Sequence, residues 1–209
     1  MTYLFDFDGT LVDSMPTYTA IMVKMLDDYH IEYGADLIRT ITPLGYRLTA
    51  RYYREKLGHP LSEDEIVSRL QADAVDAYTH TVPAKENVIE TLKALHARGD
   101  HLNVLTASPH PMLDPCLRRL GVWNLFDNVW SCEDFGTGKS DPAIYRAAAE
   151  RMGVSVSEVI FVDDNYNADK TAKDAGCTVY GIFDESSRAY EAEIRSVADR
   201  YLYGLKELI

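Results

Sequence analysis

Hydrophobic positions along the chain form two kinds of pattern. Short apolar runs of strand length occur at TYLFDFD, HLNVLTA, EVIFVDD and TVYGIFD, and helix-period segments such as KENVIETLKALHARG and DPAIYRAAAERMGVS precede the later runs. Such alternation is typical of a parallel sheet with helices on both faces. The closing DRYLYGLKELI adds a short strand and a helix. The pattern therefore predicts an α/β fold with a doubly wound parallel sheet.

One interval shows helical periodicity without a convincing strand. Between residues 14 and 81 the helical segments are PTYTAIMVKMLDDYH, GYRLTARYYREKLG and SEDEIVSRLQADAVDAYTH, and the last opens with a Ser-x-x-Glu capping box at Ser62 and Glu65. The sequence therefore predicts a core domain of residues 1–13 and 82–209 with an inserted all-helical domain of residues 14–81. We expect the insertion to lie over the strand ends as a lid.

The first apolar run ends in two carboxylates. Asp6 and Asp8 in YLFDFDGTLVDS are two residues apart, so in an extended chain they point to the same side. An acidic turn after a strand is also common for structural reasons alone. However, a second acidic pair, Asp163 and Asp164, ends the run VIFVDD. Ligands of parallel sheets bind at the carboxyl ends of the strands, and two acidic pairs meeting there require a cation.

Two other segments carry groups that suit an anion. VLTAS places the hydroxyls of Thr106 and Ser108 just before a helix predicted to begin at Pro109, and FGTGKSDPAIY places Lys139 in a Gly-rich loop. Helix capping and a solvated surface lysine are the plain alternatives. Together with the carboxylates, these groups predict a hard divalent ion, Mg²⁺, and a substrate carrying phosphate.

The segments DFDGT, VLTAS, GKSDP and VDDNYNADKTAKDAG, in this order, resemble the four motifs of the haloacid dehalogenase (HAD) superfamily of phosphohydrolases. The resemblance covers the chain from Tyr3 to about Phe183. The insertion after the first motif resembles the family's helical cap, which phosphoglycolate phosphatase-like enzymes and β-phosphoglucomutases share. This resemblance implies a Rossmann-like core with an inserted helical cap domain.

The resemblance also implies a role for each matching residue. Asp6 would be the nucleophile that forms an aspartyl-phosphate, and Asp8 would be the general acid that protonates the leaving oxygen and later activates water. Thr106 would bind the transferring phosphoryl group, while Lys139 would neutralise that group and position Asp6.

The same resemblance implies the metal ligands. Asp6, Asp164 and the backbone carbonyl of Asp8 would hold Mg²⁺, with Asp163 as an additional ligand or an outer partner. Some relatives carry another acidic residue four positions after the one matched by Asp164, where this chain has Ala168, so the late metal pair must be Asp163 and Asp164.

The chain departs from the family's usual motifs at two further positions. Many relatives have Asn after the second-motif Thr, where this chain has Ala107, so that contact is either lost or replaced by Ser108. The change from Gly-Lys-Pro to Gly-Lys-Ser at Ser140 leaves the lysine in place.

Three alternatives to a phosphatase can be weighed on the same residues. The superfamily's dehalogenases lack an acidic residue at the position of Asp8, and β-phosphoglucomutases carry a histidine where this chain has Tyr18. A binding protein without turnover would be expected to lose one of Asp6, Asp8, Lys139 or the late acidic pair, and all are present. The sequence therefore predicts a phosphatase acting on a small phosphorylated metabolite, with a β-phosphoglucomutase-like phosphomutase as the alternative.

Substrate specificity is expected to lie in the helical insertion. Arg47 begins a helix-period segment, with Tyr46 before it and Tyr52 and Tyr53 following. We expect Arg47 to contact a second anionic or polyhydroxy part of the substrate. A solvated helix face with aromatic packing beneath it is the alternative.

Composition restricts the partners. The 209 residues carry a net charge of −12, which argues against nucleic acid, and no apolar run is long enough to span a membrane. Met1 leads directly into the first apolar run, so we expect a cytoplasmic protein. The 3 cysteines are far apart and are expected to be reduced thiols. No obligate protein partner is inferred.

Overall fold

The computed structural model describes residues 1–41 and 44–209. The chain divides into two compact units, one formed by Met1–Ser14 with Val82–Ile209 and the other by Met15–Thr81. Within the described residues, none of the helices combines the length and the apolar character needed to cross a bilayer.

The smaller unit is built from helices. They are α1 (Met15–Asp27), α2 (Leu37–Ile41), α3 (Gly45–Leu57) and α4 (Glu63–His80). The capping box at the start of α4 is confirmed: the Ser62 hydroxyl accepts from the Glu65 N–H at 3.3 Å, and the Glu65 carboxylate accepts from the Ser62 N–H at 2.9 Å. The buried Tyr53 hydroxyl donates to the Met22 carbonyl at 3.0 Å and so ties α3 to α1. The short α2 was not predicted.

The larger unit contains a six-stranded parallel sheet, which confirms the predicted α/β class. Its strands are β1 (Thr2–Phe5), β2 (His101–Thr106), β3 (Asn128–Ser131), β4 (Val159–Asp163), β5 (Thr178–Ile182) and β6 (Arg200–Leu202), in the order β3-β2-β1-β4-β5-β6. All four residues of β1 are buried, because this strand lies between β2 and β4. Strands that are covered on both faces need a continuous apolar sequence, and for this reason the apolar runs could be predicted as strands.

Helices cover both faces of the sheet. They are α5 (Val88–Ala97), α6 (His110–Arg119), α7 (Ala143–Met152), α8 (Tyr166–Ala175) and α9 (Glu191–Val197). Ile144 of α7 and Ala172 of α8 belong to a buried cluster with Leu4 and Phe161 of the central strands. The order of the strands places the ends of β1, β2 and β4 side by side at one edge of the sheet.

Helix α8 also buries a carboxyl group. Asp169 has no exposed surface, and neither of its oxygens has a hydrogen-bond partner among the described residues. Burial, followed by the nearby Asp163 and Asp164 carboxylates, raises the pKa of Asp169 to about 10. Asp169 therefore keeps its proton at neutral pH and is an uncharged acid inside the core.

We expect Asp169→Asn to change how stability depends on pH. Between the ordinary pKa of 3.8 and the raised value of about 10, the folded state holds a proton that the unfolded state has lost. The free energy of unfolding therefore falls as pH rises, by up to about 1.4 kcal/mol per pH unit for one proton. The neutral amide removes this contribution, so urea unfolding from about pH 5 to pH 9 with a chelator present should give a flatter profile.

Asp174→Asn is the matched control, since Asp174 lies on the same helix with its side chain 60% exposed. It should keep the wild-type slope. An Asp169→Asn profile parallel to that of the wild type would contradict an uncharged Asp169.

Candidate active site

Three carboxylates meet where β1 and β4 end. The Asp6 N–H donates to the Val162 carbonyl at 2.9 Å, so Asp6 continues the pairing of β1 with β4 and comes to lie beside Asp163 and Asp164. One oxygen from each of Asp6, Asp163 and Asp164 lies within 4.8 Å of the others, and all three residues are buried. Clustered carboxylate oxygens fit a hard divalent cation.

Lys139 provides positive charge within this cluster. Its ammonium donates to Asp163 Oδ2 at 2.8 Å and also to Asp6 Oδ1. Burial alone would lower the pKa of the Lys139 ammonium, but the Asp163 and Asp6 carboxylates outweigh burial and raise that pKa well above its ordinary value. Lys139 is therefore a fixed cation.

One ammonium does not balance three carboxylates. Burial raises the pKa of Asp6 to about 7, with Lys139 lowering it and Asp163 and Asp8 raising it further. Burial, then Asp163 and Asp6, raises the pKa of Asp164 well above its ordinary range. A divalent cation would supply the missing positive charge, so the donor set and its charge both fit Mg²⁺.

The phosphate-binding segment meets Asp8. The Ser108 hydroxyl donates to Asp8 Oδ2 at 2.5 Å, and the Thr106 hydroxyl accepts from the Ser108 N–H at 3.0 Å. Thr106 is the buried last residue of β2 and retains its own O–H as a donor. Ser108, which was expected to contact the substrate, therefore has a partner within the protein, and this contact holds the Asp8 carboxylate in one orientation.

Two residues that sequence reasoning did not single out shape the cluster. The buried Tyr145 hydroxyl bridges the carbonyls of Lys139 and Ala168 at 3.0 and 3.1 Å, which fixes the loop that carries the lysine. Gly9 has φ +77°, and a Cβ there would lie 2.7 Å from Asp164 Oδ1. Only glycine allows this approach of the backbone. The aromatic residue in DPAIY and the glycine in DGT were the available signals.

Arg47 belongs to the smaller unit. It lies on α3, and its guanidinium forms an ion pair with Asp64 of α4 in which both side chains are more than half exposed. This exposed pair is what the solvated-face alternative predicts.

Comparison with known proteins identifies relatives across most of the chain. Residues 1–176 match the family model described as haloacid dehalogenase-like hydrolase. The chain is 30% identical over 201 residues to phosphoglycolate phosphatase of Escherichia coli K12, covering 85% of this chain and 79% of that protein. It is 31% identical over 181 residues to pyrophosphatase PpaX of Bacillus velezensis, covering 86% and 81%.

A solved structure shows the same fold over nearly the whole chain. It is a Thermotoga maritima protein described provisionally as a β-phosphoglucomutase, with a TM-score of 0.86 and 25% identity over 99% of this chain and 95% of that one. The motifs, the parallel sheet and these matches agree, and the chain belongs to the haloacid dehalogenase-like hydrolases.

Proposed function

We propose that this protein is a Mg²⁺-dependent phosphatase that hydrolyses a small phosphorylated metabolite through an aspartyl-phosphate on Asp6. The observation that carries this proposal is the Asp6 carboxylate held by Lys139 inside a buried acidic cluster, two residues from Asp8. The relatives support the substrate class, because one is named phosphoglycolate phosphatase and another pyrophosphatase PpaX.

The metal site is proposed from the same cluster. Asp6, Asp164 and the backbone carbonyl of Asp8 would hold Mg²⁺, with Asp163 either as a further ligand or as the outer partner that keeps Lys139 in place. When bound, the ion neutralises the carboxylates and the phosphate oxygens. Lys139 and the Thr106 hydroxyl take up the remaining negative charge of the phosphoryl group.

The first chemical step transfers the phosphoryl group to Asp6. A carboxylate oxygen of Asp6 attacks phosphorus in line, and the bond from phosphorus to the leaving oxygen breaks. Asp8 gives its proton to that oxygen, which departs as an alcohol or an acid. The Ser108 hydroxyl keeps Asp8 oriented for this transfer.

The second step regenerates the enzyme. Asp8, now ionised, removes a proton from water, and the resulting hydroxide attacks the phosphorus of the aspartyl-phosphate. The bond between phosphorus and the Asp6 oxygen breaks, which releases inorganic phosphate and restores the Asp6 carboxylate. Lys139 stabilises that carboxylate in each cycle.

The unit Met15–Thr81 is proposed as the cap that selects the substrate. It is built of helices and is inserted directly after the first motif. Arg47 is the proposed contact to a second anionic or polyhydroxy group, and on binding it would exchange its exposed Asp64 partner for the substrate.

A phosphomutase is the second candidate, because the Thermotoga maritima neighbour is described in that way. Both reactions form the same phosphoenzyme and differ only in the acceptor, which is water in one and a sugar hydroxyl in the other. Tyr18, at the position where β-phosphoglucomutases carry histidine, favours hydrolysis.

The first test is phosphate release from a panel of phosphorylated metabolites, with and without Mg²⁺. We expect release that depends on Mg²⁺ and is abolished in Asp6→Asn, because the amide cannot form the aspartyl-phosphate. Asp174→Asn, which makes the same change at an exposed position, should retain full activity. Release by Asp6→Asn at the wild-type rate would refute the proposed nucleophile. Turnover only with a bisphosphate primer, without net phosphate release, would favour the mutase.

A second test concerns the cap. With the best substrate of the panel, Arg47→Ala should lower kcat/KM by about 10- to 100-fold, the cost of losing a hydrogen bond to a charged group. Arg54→Ala is the control, since Arg54 is an exposed arginine on the same helix. Equal specificity constants for Arg47→Ala and Arg54→Ala would remove Arg47 from the substrate site.

A further inference from the structure

The ammonium group of Lys85 makes three hydrogen bonds within the protein, whereas a lysine on the surface can be solvated by water. The Lys85 ammonium donates to the Gly9 carbonyl at 2.5 Å, to the Phe183 carbonyl at 2.7 Å and to Asp184 Oδ2 at 2.9 Å. An ammonium group has three N–H donors, so each of them has an acceptor. The Lys85 side chain is only 19% exposed. It therefore joins its own segment to two others of the larger unit, the loop after β1 and the segment after β5.

Asp184 anchors this lysine. The Asp184 carboxylate is buried and also accepts from the Ser186 N–H at 3.0 Å and from the Ser186 hydroxyl at 2.6 Å. Burial works against its ionisation, but the hydrogen bonds from Ser186 and Lys85 outweigh burial and lower the pKa of Asp184. The two charged groups hold each other in place after the end of β5.

The Gly9 contact links Lys85 to the proposed metal site. Gly9 immediately follows Asp8, and its backbone lies so close to Asp164 that a Cβ would be 2.7 Å from the carboxylate. The Lys85 N–H also donates to the Leu11 carbonyl at 3.0 Å, so Lys85 holds the loop after β1 at two points. Any movement of this loop would move the Asp8 carbonyl relative to Asp164.

We propose that Lys85 is a positioning residue for the metal site: anchored by Asp184, it holds the Gly9 carbonyl and so sets the Asp8 backbone against Asp164. This inference depends on the metal site of the proposed function. It does not depend on the proposed phosphatase activity. A purely structural ion pair would contribute to stability and leave metal affinity unchanged.

The test compares two isoelectric double variants. Lys85→Met with Asp184→Asn removes one charge of each sign, so the net charge near the site is preserved while the contact to Gly9 is lost. Lys173→Met with Asp199→Asn is the matched control, because this pair joins a lysine to an aspartate that also accepts a backbone N–H, at 2.9 Å from Val179. Mn²⁺, as a paramagnetic stand-in for Mg²⁺, is titrated into each protein without substrate and followed by electron paramagnetic resonance.

We expect the Lys85 double variant to bind Mn²⁺ about 10- to 100-fold more weakly than the wild type, as found for residues that orient metal ligands, and the control to bind as the wild type does. Equal affinities in the two double variants would overturn the proposal. Because no turnover is measured, a protein that binds Mn²⁺ but releases no phosphate would refute the phosphatase and leave this inference standing.

Lys85→Arg provides a second test of the proposal if the double variant does not fold. The guanidinium keeps the charge and the ion pair with Asp184, but its planar donors cannot converge on three acceptors as an ammonium does. Mn²⁺ affinity should fall while the free energy of unfolding stays near that of the wild type. Wild-type Mn²⁺ affinity in this variant would overturn the role of Lys85.

Discussion

The contact of Lys139 with Asp6 and Asp163 is the interaction on which this edge of the sheet depends. Two like charges 4 Å apart repel by about 4 kcal/mol at an effective dielectric constant of 20. Here one oxygen from each of three carboxylates lies within 4.8 Å of the others, so they repel by a comparable amount, and the pairing of β1 with β4 holds them together. The ammonium offsets part of this repulsion, and its loop is fixed through Tyr145. The cluster therefore constrains the protein to bind positive charge or to retain protons.

Two further buried carboxyl groups of this unit respond to the same constraint in opposite ways. Asp169 lies near Asp163 and Asp164, has no hydrogen-bond partner among the residues that the structure describes, and avoids adding negative charge by keeping its proton. Asp184 remains charged because Lys85 and Ser186 surround it with donors. A carboxylate supplied with donors can be buried as an ion, whereas one without donors is buried as an acid. Both arrangements limit the negative charge that a cation has to balance.

Much of the fold could be predicted because buried parallel strands need continuous apolar sequence. The edge strand β3 escaped this signal, since Asn128, Val129 and Trp130 are only partly buried and the run is short. In the same way, α2 has five residues, too few to show a helical period. The hydrophobic pattern therefore predicts the strands and helices that form the core and misses short or partly buried ones.

The site could be predicted where its residues belong to local sequence motifs. The structure brings together Asp6, Asp163, Asp164 and Lys139, whose roles in catalysis and metal binding stay predictions. The bond from Ser108 to Asp8 joins residues 100 positions apart, and the bond from Lys85 to Gly9 spans 76. No local sequence motif indicates either contact, because each one forms only when segments that are distant in sequence come together in the fold.

The central position of β1 has a consequence for synthesis on the ribosome. Thr2 pairs with His101 and Val159, so after β1 has been made another 99 residues must follow before one neighbour begins and 157 before the other. At about 5 to 20 residues per second, that interval lasts roughly 5 to 30 s. The helical unit Met15–Thr81 needs only nearby contacts and can fold in that time. The nascent chain therefore carries an unpaired apolar strand ahead of the helical unit until β2 and β4 have been made.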